Sequence, residues 1–273
     1  MIESNNVLTI KTTQCRPFRD MINAIKDILS DFTITFDKKK GIKICSMDNT
    51  HTILVNIELE AIEFEVYNCE FDKIIISVNA KNLFKVLEPM SNNDTLLTMY
   101  IEKVNYHEGI VSHLGLQYLN ADIKQYYTQK LKLNEPDTEE LFIPDVEYST
   151  IIKLPTVDFK KIVHDLSGVS DRVEIKLIKL EEVKLIFKCT GSFTSSEIIR
   201  LESDGYMEFI QKSDVSKEIP GTFSLGSLSK FIKCTPLCTY LEMYLKNDFP
   251  LTIKYNVGNL GTIKLCLSPL PSV

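Results

Sequence analysis

The sequence lacks the short motifs that mark most catalytic and nucleotide-binding sites. It contains no P-loop, no G-x-G-x-x-G fingerprint and no G-x-S-x-G nucleophile elbow. The four histidines, His51, His107, His113 and His164, show no metal-ligand spacing. Asp48 lies close to His51 as an acid and a base would, but neither a nucleophile nor a metal ligand accompanies them. We therefore predict that the protein is not an enzyme and has no catalytic residue, metal ion or cofactor.

Paired cysteines and long apolar runs are also missing. The seven cysteines are scattered and form no C-x-x-C pair, which argues against a disulfide framework and a zinc site. We expect a reducing compartment, either cytosolic or nuclear. No stretch approaches the ~18 apolar residues of a membrane span, and the first residues lack the basic region of a secretory signal. We therefore expect an intracellular soluble protein.

The chain also has too little positive charge to bind polyanions everywhere on its surface. Its 31 basic and 37 acidic residues give a formal net charge of -6 and a sequence pI near 5.4. Such a field argues against indiscriminate binding to DNA or anionic membranes, although it does not exclude a local basic surface. With 44% hydrophobic and 25% charged residues, the composition is that of an ordinary globular protein.

One apolar pattern occurs twice along the chain, at an offset of 141 residues. The segments that begin at Phe18 and Phe159 both show helical spacing of apolar residues, followed by strict alternation. An alignment without gaps pairs Ile22 with Val163, Ile25 with Leu166, Ile34 with Ile175, Phe36 with Leu177, Ile42 with Val183 and Ile44 with Leu185. Each copy therefore predicts an amphipathic helix followed by a hairpin of two strands.

A second pair of matching segments completes the duplication. Residues 78–103 and 224–247 each predict a short helix, a stop that contains proline, and a strand with a Met-Tyr pair. We predict an α+β fold with two similar domains, residues 1–131 and 149–273, each with two short helices among many strands. Residues 132–148 between them are acidic and without strong periodicity, as in a connecting loop. Residues 141–144 are apolar, which a loop that only connects two domains would not require.

Each of the four predicted helices has a cationic stripe opposite its apolar face. Lysine on a solvated helix face usually serves solubility alone, but four concordant stripes in an acidic chain weaken that interpretation. A helical surface rich in Lys and Arg and poor in aromatic residues suits sequence-independent contact with phosphates. The stripes contain Arg16, Arg19 and Lys26 in the first helix, Lys81 and Lys85 in the second, Lys160, Lys161 and His164 in the third, and Lys230 and Lys233 in the fourth.

Four stretches, taken in their order and spacing, resemble the eukaryotic and viral sliding clamp family, proliferating cell nuclear antigen. The resemblance extends from about Val7 to Pro269. The Ile- and Lys-rich composition suggests a divergent member from a large DNA virus or a protist. The stretches are GIKICSMDNTHTILVNIEL (41–59), VEYSTIIKLPTVDFKKIVHDLS (146–167), SKFIKCTPL (229–237) and FPLTIKYNVGNLGTIKLCLSP (249–269).

The resemblance implies a closed, pseudo-six-fold ring of three identical chains. Antiparallel sheets would form its outside, and the helices would line a central hole around duplex DNA, bound without regard to sequence. Such clamps are not enzymes; they tether a DNA polymerase, a clamp loader, a nuclease or a ligase through a short clamp-binding peptide. The expected location is the nucleus, or a cytoplasmic replication factory if the protein is viral. No membrane partner is implied.

The family's DNA-facing basic residues correspond by position to residues of the cationic stripes and to one strand residue, Lys130. His164 stands where the family commonly has arginine. Asp20, Glu88 and Gly226 stand where it often has a basic residue, so we expect a redistributed positive lining. The predicted DNA-facing set is Arg16, Arg19, Lys26, Lys81, Lys85, Lys130, Lys160, Lys161, His164, Lys230 and Lys233.

The resemblance also implies a partner-peptide pocket beside the connecting loop, and subunit contacts through sheet edges. Phe142 departs from the family's usual glycine, and Lys179 corresponds to a lysine that some members modify. The candidate edges are the strand around Tyr126 and Tyr127 and the strand from Phe193 through Ile198 to Arg200. The predicted pocket residues are Met47, His51, Leu54, Leu141, Phe142, Ile143, Pro144, Phe249, Pro250, Cys266, Leu267, Ser268 and Pro269.

Two alternatives to the homotrimeric clamp stay open at this point. Within the same fold, the chain could be one subunit of a heterotrimeric checkpoint clamp, or a viral clamp of other stoichiometry. From a different class, it could be a protein-interaction scaffold that never binds DNA. The last alternative requires that the cationic stripes serve only to keep the helix surfaces solvated.

Overall fold

Alternating apolar residues form strands throughout the computed structural model, which describes residues 5–90, 94–120, 122–136, 141, 146–179, 182–212 and 218–271. The chain divides into two units, and the predicted α+β class is confirmed. The first unit contains Met1–Asn49, Val55–Phe142 and Asn256–Ile263, and the second contains Thr50–Leu54, Ile143–Tyr255 and Lys264–Val273.

The first half of the chain contains two helices and eleven strands in its described part. Short 3₁₀ turns occupy Ala61–Glu63 and Lys103–Asn105. In chain order the elements are β1 (Asn6–Thr12), α1 (Cys15–Ile25), β2 (Asp31–Asp37), β3 (Gly41–Met47), β4 (Ile53–Glu60), β5 (Val66–Cys69), β6 (Lys73–Asn79), α2 (Ala80–Leu87), β7 (Asp94–Glu102), β8 (Tyr106–His107), β9 (Ile110–Val111), β10 (His113–Asn120) and β11 (Gln125–Lys132).

The second half repeats this order with two helices and nine described strands. Its 3₁₀ turns lie at Glu202–Asp204 and Ile232–Leu237. The elements are β12 (Thr150–Pro155), α3 (Thr156–Ser167), β13 (Arg172–Lys179), β14 (Val183–Thr190), β15 (Ser195–Leu201), β16 (Glu208–Lys212), β17 (Glu218–Ser224), α4 (Leu225–Phe231), β18 (Tyr240–Leu245), β19 (Leu251–Val257) and β20 (Gly261–Leu267).

Both units place their strands in the same order. The first unit has the five-stranded sheet β11-β10-β7-β1-β5 and the strand run β4-β3-β2-β6. The second unit has the run β19-β18-β12-β16, which corresponds to β10-β7-β1-β5 of the first. Its four-stranded sheet, β15-β14-β13-β17, corresponds to β4-β3-β2-β6. Every strand pair with a described register within these sheets is antiparallel. The two halves therefore share one topology, as the repeated apolar pattern predicts.

Helical spacing of apolar residues decides which side of each helix faces the core. In α1, Phe18, Ile22 and Ile25 recur every three or four residues and are all buried. Burial of each such side chain contributes roughly 1.5–3 kcal/mol relative to exposure. Helices α1 and α2 contact each other within the first unit, and α3 contacts α4 within the second. The opposite face of each helix is consequently left for polar residues.

Equivalent helices begin with equivalent caps. The side chain of Asn79 accepts a hydrogen bond from the Asn82 N–H at the start of α2. The hydroxyl of Ser224, 145 residues later, accepts one from the Ser227 N–H at the start of α4. Such caps satisfy backbone donors that have no partner inside the helix. The duplication thus extends to single hydrogen bonds.

The gapless alignment of the two hairpins is wrong in its second strand. Phe36 pairs with Ile42 in the first hairpin, whereas its counterpart Leu177 pairs with Leu185 and not with Val183. The second hairpin therefore reaches two residues further along β14. Because side chains alternate with a period of two, this shift keeps every apolar residue on its original face. Sequence alternation alone cannot detect it.

The fourth helix is shorter than its pattern predicts. It ends at Phe231, and residues Ile232–Leu237 continue as a 3₁₀ turn that contains Pro236. Phe231 and Leu228 are buried, and Ile232, the first residue after the helix, is half-buried. Lys233 therefore lies on the 3₁₀ turn and not on the helix. The proline ring excludes continued α-helical hydrogen bonding here.

Each unit covers one exposed sheet edge with the segment that follows its last strand. The Asn134 N–H donates to the Ser77 carbonyl oxygen at 3.0 Å, on the outer side of β6. The Leu270 N–H donates to the Thr222 carbonyl oxygen at 2.8 Å, on the outer side of β17. Thr222 follows Ser77 by 145 residues, so equivalent carbonyl groups accept these two hydrogen bonds in the two halves of the chain. Covered edges resist unwanted strand pairing.

Removal of the two helix caps should destabilise the chain by unequal amounts. Ser224→Ala loses one cap acceptor, which should lower the free energy of unfolding by about 1 kcal/mol. Asn79→Ala should cost more, up to about 2 kcal/mol, because that amide also donates to the Ser30 carbonyl oxygen at 3.1 Å and to Asp31 at 3.2 Å. Urea unfolding measures both, with Asn79→Ser as the control that keeps a cap. A larger loss for Ser224→Ala contradicts the ranking.

Candidate DNA interface and partner surface

The cations of α1 are partly neutralised by one carboxylate. Arg16 Nε lies 3.5 Å from Asp20 Oδ2, and Arg19 Nη2 lies 3.3 Å from Asp20 Oδ1. The Arg19 guanidinium also donates to the Met90 carbonyl oxygen. Two predicted DNA-facing cations therefore share an anion at a position where the family often has a basic residue. Helix α1 offers less net positive charge than its stripe predicts.

Lys26 and Lys130 also have partners within the first unit. The Lys26 ammonium lies 3.5 Å from the centroid of the Phe84 ring, in cation–π geometry. The Lys130 ammonium lies 2.6 Å from Glu102 Oε2, and this hydrogen bond raises the pKa of Lys130. Contact with a phosphate would have to compete with these interactions. The two positions are weaker candidates than the sequence suggests.

Helix α2 carries two exposed cations that have no carboxylate partner among the described residues. Lys81 and Lys85 are exposed, lie one turn apart and make no ion pair with any described residue. Their side of the helix lies opposite the buried Leu83 and Val86. Glu88, at the C-cap, is exposed and is the one acidic residue of this helix end. Among the helices of this unit, α2 therefore presents the most exposed positive charge.

Helices α3 and α4 show the same kind of surface in the second unit. Lys160 and Lys161 are exposed and Lys230 is half-exposed; none of them pairs with a carboxylate in the described part of the chain. The side chain of His164 is 84% exposed, and its Nδ1 lies 3.6 Å from Asp165 Oδ1. The exposed lysines therefore carry most of the positive potential of these two helices. Because Gly226 stands where the family often has a basic residue, α4 has one cation fewer than the family pattern.

Both strands predicted as subunit contacts lie at sheet edges. β11, with the exposed Tyr126 and Tyr127, is the outer strand of the five-stranded sheet. β15, with the half-buried Ile198, is the outer strand of the four-stranded sheet. The assignment of Phe193 to this strand is wrong: β15 begins at Ser195, and Phe193 is an exposed residue of the preceding turn. An aromatic residue in the loop does not take part in the ladder.

Arg200 fixes the edge strand β15 to the first turn of α3. Its Nε lies 2.8 Å from Asp158 Oδ2 and its Nη2 lies 2.7 Å from Asp158 Oδ1, which is a two-pronged arginine–carboxylate contact. The hydrogen bond to Asp158 raises the pKa of Arg200. Asp158 also places a negative charge near the N-terminus of α3, where the helix dipole favours it. The pair therefore orients the edge strand relative to a candidate DNA-facing helix.

A hydrogen-bonded row of three side chains in the second unit includes Cys266, one of the residues predicted for the peptide pocket. The Tyr148 hydroxyl and the Thr252 hydroxyl are 2.8 Å apart, and Thr252 Oγ1 lies 3.2 Å from Cys266 Sγ. Burial raises the pKa of the Cys266 thiol and that of the Tyr148 hydroxyl. Sequence analysis found Cys266 but missed Tyr148 and Thr252, because no motif distinguishes them. Their proximity to the connecting loop and to Pro250 was the available signal.

Other predicted pocket residues of the second unit lie on exposed loops and strand ends. Phe249 is exposed on one side, and the Lys246 ammonium lies 4.1 Å from its ring centroid. The Ser268 N–H donates to the Thr52 carbonyl oxygen at 3.0 Å, which holds the segment after β20. Leu267 is a correction: only 1% of it is exposed, so its side chain belongs to the core. Four more members of the set are not fully buried: His51 and Pro269 are exposed, and Leu54 and Pro250 are half-buried.

The remaining pocket residues lie in the first unit or outside the described residues. Met47 is half-buried at the end of β3, and Leu141 is exposed. Phe142, Ile143 and Pro144 lie outside the described residues, as does the side chain of Lys179. Their assignment stays a prediction.

Neither a metal cluster nor a membrane helix appears in the part of the chain that the structure describes. No three His, Cys, Asp or Glu residues there are grouped so that they could hold a metal ion. Of the helices described, none is long and apolar enough to cross a membrane.

Comparison with known proteins covers nearly the whole chain. Residues 7–140 match the N-terminal domain of proliferating cell nuclear antigen, and residues 142–270 match its C-terminal domain. The chain belongs to the proliferating cell nuclear antigen family. It is 30% identical over 275 residues to a protein of Paramecium bursaria Chlorella virus 1 named probable DNA polymerase sliding clamp 1, with 100% of both chains covered. It is 31% identical over 267 residues to proliferating cell nuclear antigen of Chaetomium thermophilum, with 96% of this chain and 98% of the relative covered.

Family membership confirms the recognition made from the four sequence stretches, and the sliding-clamp class of function with it. Proliferating cell nuclear antigens are a non-enzymatic scaffold family, which in general implies DNA and polymerase partners and assembly as trimers. The roles of individual residues are separate questions, because the matches concern whole domains.

The Arg200–Asp158 contact should contribute measurably to the stability of this clamp chain. Arg200→Lys keeps the charge but loses the planar two-pronged geometry, and we expect the free energy of unfolding to fall by about 1–2 kcal/mol. The matched control is Lys153→Arg, at a more exposed pair in which Lys153 Nζ lies 3.0 Å from Glu208; we expect a change within about 0.5 kcal/mol. Urea unfolding of the second unit measures both. Equal effects of the two substitutions would contradict a special role for Arg200.

Proposed function

We propose that this sliding clamp is a homotrimeric processivity factor that closes around duplex DNA and tethers replication and repair proteins to it. The observation that carries the proposal is the distribution of charge. A chain of formal charge -6 exposes lysines without carboxylate partners on α2, α3 and α4. Family membership supplies the assembly in which such helices would face one duplex.

The proposed DNA contact is electrostatic and independent of sequence. Lysine ammonium groups bind phosphate oxygens as point charges, and each phosphate contact releases condensed counterions. The candidate surface has no row of exposed aromatic residues that would stack on bases. Contacts of this kind hold a duplex while permitting movement along it. This is the behaviour required of a clamp that slides.

The proposed trimer closes through the two edge strands, β11 and β15. Each has one unpaired side in the described chain, and pairing between chains would satisfy the backbone groups that an edge leaves open. The Tyr127 ring packs 5.0 Å from the Tyr118 ring, which supports its orientation at the edge. Arg200 holds β15 in position for such pairing.

Partner proteins would dock through a short peptide with aliphatic and aromatic anchors. The half-buried thiol of Cys266 and the exposed ring of Phe249 give the second unit apolar surface beside the hydrogen-bonded Tyr148 and Thr252. We propose that the protein has no catalytic activity of its own. It would act where replication occurs, in the nucleus or in a viral replication factory in the cytoplasm.

Retention on circular DNA tests the proposed function. After loading, the clamp should stay on a closed duplex circle and be lost when the circle is cut. Native mass measurement should give one species of three times the 31.2 kDa chain. A monomer that is never retained on circles would contradict both the trimer and the encirclement.

Neutralising two lysines should weaken the grip on DNA without opening the ring. In Lys85→Gln with Lys161→Gln, the slope of log affinity against log salt should decrease by about 0.9 for each phosphate that the variant no longer binds. The matched control, Lys43→Gln with Lys188→Gln, removes equal charge from exposed positions on β3 and β14 and should leave the slope unchanged. Lys130→Gln should have an intermediate effect, because Glu102 already balances that charge. An unchanged slope in the first variant would refute these helix faces as the DNA contact.

Shortening an exposed aromatic side chain of the predicted pocket should weaken the binding of a partner peptide. Phe249→Ala should weaken a clamp-binding peptide at least about tenfold, since buried aromatic anchors dominate such interfaces. Leu141→Ala tests the predicted contribution of the connecting loop in the same way. Calorimetry measures the affinity, with Ile62→Ala as a control at another exposed apolar residue. Wild-type affinity in the Phe249 variant would eliminate the proposed pocket.

A further inference from the structure

Three turns of the first unit meet at one end of its sheets. The β2–β3 turn contacts the β5–β6 turn through the Lys38 N–H, which donates to the Asp72 carbonyl oxygen at 3.0 Å. The Lys103 ammonium lies 3.3 Å from a carboxylate oxygen of Glu70 and links the segment after β7 to the same turn. We call this place the basic turn surface and define it by Lys38, Lys39, Lys103, Phe71, Val104 and Ile110.

The lysines of this surface stand on a rigid turn. Asp37 Oδ1 accepts hydrogen bonds from the Lys39 and Lys40 N–H groups, both at 2.9 Å. These backbone hydrogen bonds, that of Lys40 first, hold the pKa of Asp37 below its usual range. Gly41 ends the turn with φ of 111°, a conformation that favours glycine. The turn is therefore formed in advance, while its lysine side chains remain exposed.

Positive charge exceeds negative charge in these turns. Segments 37–40, 70–73 and 103–110 contain five lysines against four carboxylates, in a chain with an overall excess of acid. One of the carboxylates, Asp37, is already engaged by backbone N–H groups, and Glu70 is engaged by Lys103. The local potential is therefore positive, opposite in sign to that of the whole chain.

Large apolar side chains are exposed on the same turns as these lysines and on the adjoining strand β9. Val104 is 66% exposed, Ile110 is 60% exposed and Phe71 is 38% exposed. The Phe71 ring stacks on Tyr106 with centroids 4.6 Å apart, which fixes its orientation. Grouped exposed apolar residues with a polar surround mark interaction sites more often than isolated ones. A ring that is held in place loses little entropy on binding.

The duplication indicates that the fold does not require lysine here. Glu218 follows Lys73 by 145 residues, and the sequence between β13 and β14, which corresponds to Lys38–Lys40 between β2 and β3, contains Glu181 and Glu182. Equivalent ends of the two repeats therefore carry opposite charges on the same backbone topology. The basic turn surface is a property of the first unit alone, and so is any function that depends on it.

We propose that the basic turn surface docks an acidic peptide segment of a partner protein that carries at least one apolar anchor. Charge complementarity to the lysines identifies the peptide as acidic, and the aliphatic Val104 and Ile110 identify the anchor as an apolar side chain. Single-stranded nucleic acid fits less well, because it needs free aromatic faces and one face of Phe71 is already covered by Tyr106. This site is independent of DNA encirclement and of the peptide pocket in the second unit.

Fluorescence anisotropy of the full chain with three labelled probes tests the proposal. The probes are a peptide of about 12 residues rich in Asp and Glu with a central Phe-Leu pair, the same peptide with Ala-Ala in place of that pair, and an oligothymidine of about the same length. The first peptide should bind in a salt-dependent manner and at least about tenfold more tightly than the other two probes. Absence of binding, equal binding of the Ala-Ala peptide, or tighter binding of oligothymidine would each overturn the proposal.

Two variants separate the contributions of charge and apolar contact. Lys38→Glu with Lys39→Glu should reduce the affinity at least about tenfold and flatten its salt dependence. Val104→Ser with Ile110→Ser should reduce the affinity by a similar factor with the salt dependence kept, because the lysines remain. The control Lys184→Glu with Lys188→Glu, on β14 of the second unit, should bind within about twofold of wild type. Equal losses in the control and in the lysine variant would assign the binding to overall charge and not to this surface.

Discussion

Burial of the apolar faces of the four helices is the interaction on which the other features depend. Because Phe18, Ile22 and Ile25 of α1 face the core, its charged residues have one direction left to face, and the same holds for the other helices. The apolar period therefore determines where the cations lie, although it says nothing about DNA. Core packing therefore accounts for the position of the lysine stripes in this fold. A DNA-binding function can use charges that are already placed there.

Because the chain contains a duplication, many structural features occur twice. Comparison of the two copies shows which features the fold requires. Where both copies agree, as in the caps at Asn79 and Ser224 or the edge contacts at Ser77 and Thr222, the shared feature serves the fold. Where they differ in charge, as Lys73 and Glu218 do, the fold tolerates either sign. Internal comparison thus separates structural from functional constraints without any second sequence.

Much of this architecture could be predicted from the sequence, because the periods of 3.6 and 2 identify helices, strands and buried faces directly. The hairpin register could not, since the two-residue shift that pairs Leu177 with Leu185 preserves the alternation. The end of α4 at Phe231 and the burial of Leu267 depend on tertiary packing that a local pattern does not encode. The four stretches sufficed to recognise the family, whereas the pairing of Arg19 with Asp20 required coordinates.

Ion pairing changes what a count of basic residues means. Eleven DNA-facing positions were predicted by spacing and family position, but Arg16 and Arg19 share Asp20, and Lys130 is bound to Glu102. A cation already bound by a carboxylate gains less from a phosphate, because the approach of the phosphate must break or share the existing pair. The unpaired lysines of α2 and α3 carry no such cost. An acidic chain can therefore hold a polyanion with few lysines, provided that these few have no carboxylate partner and lie on rigid helices.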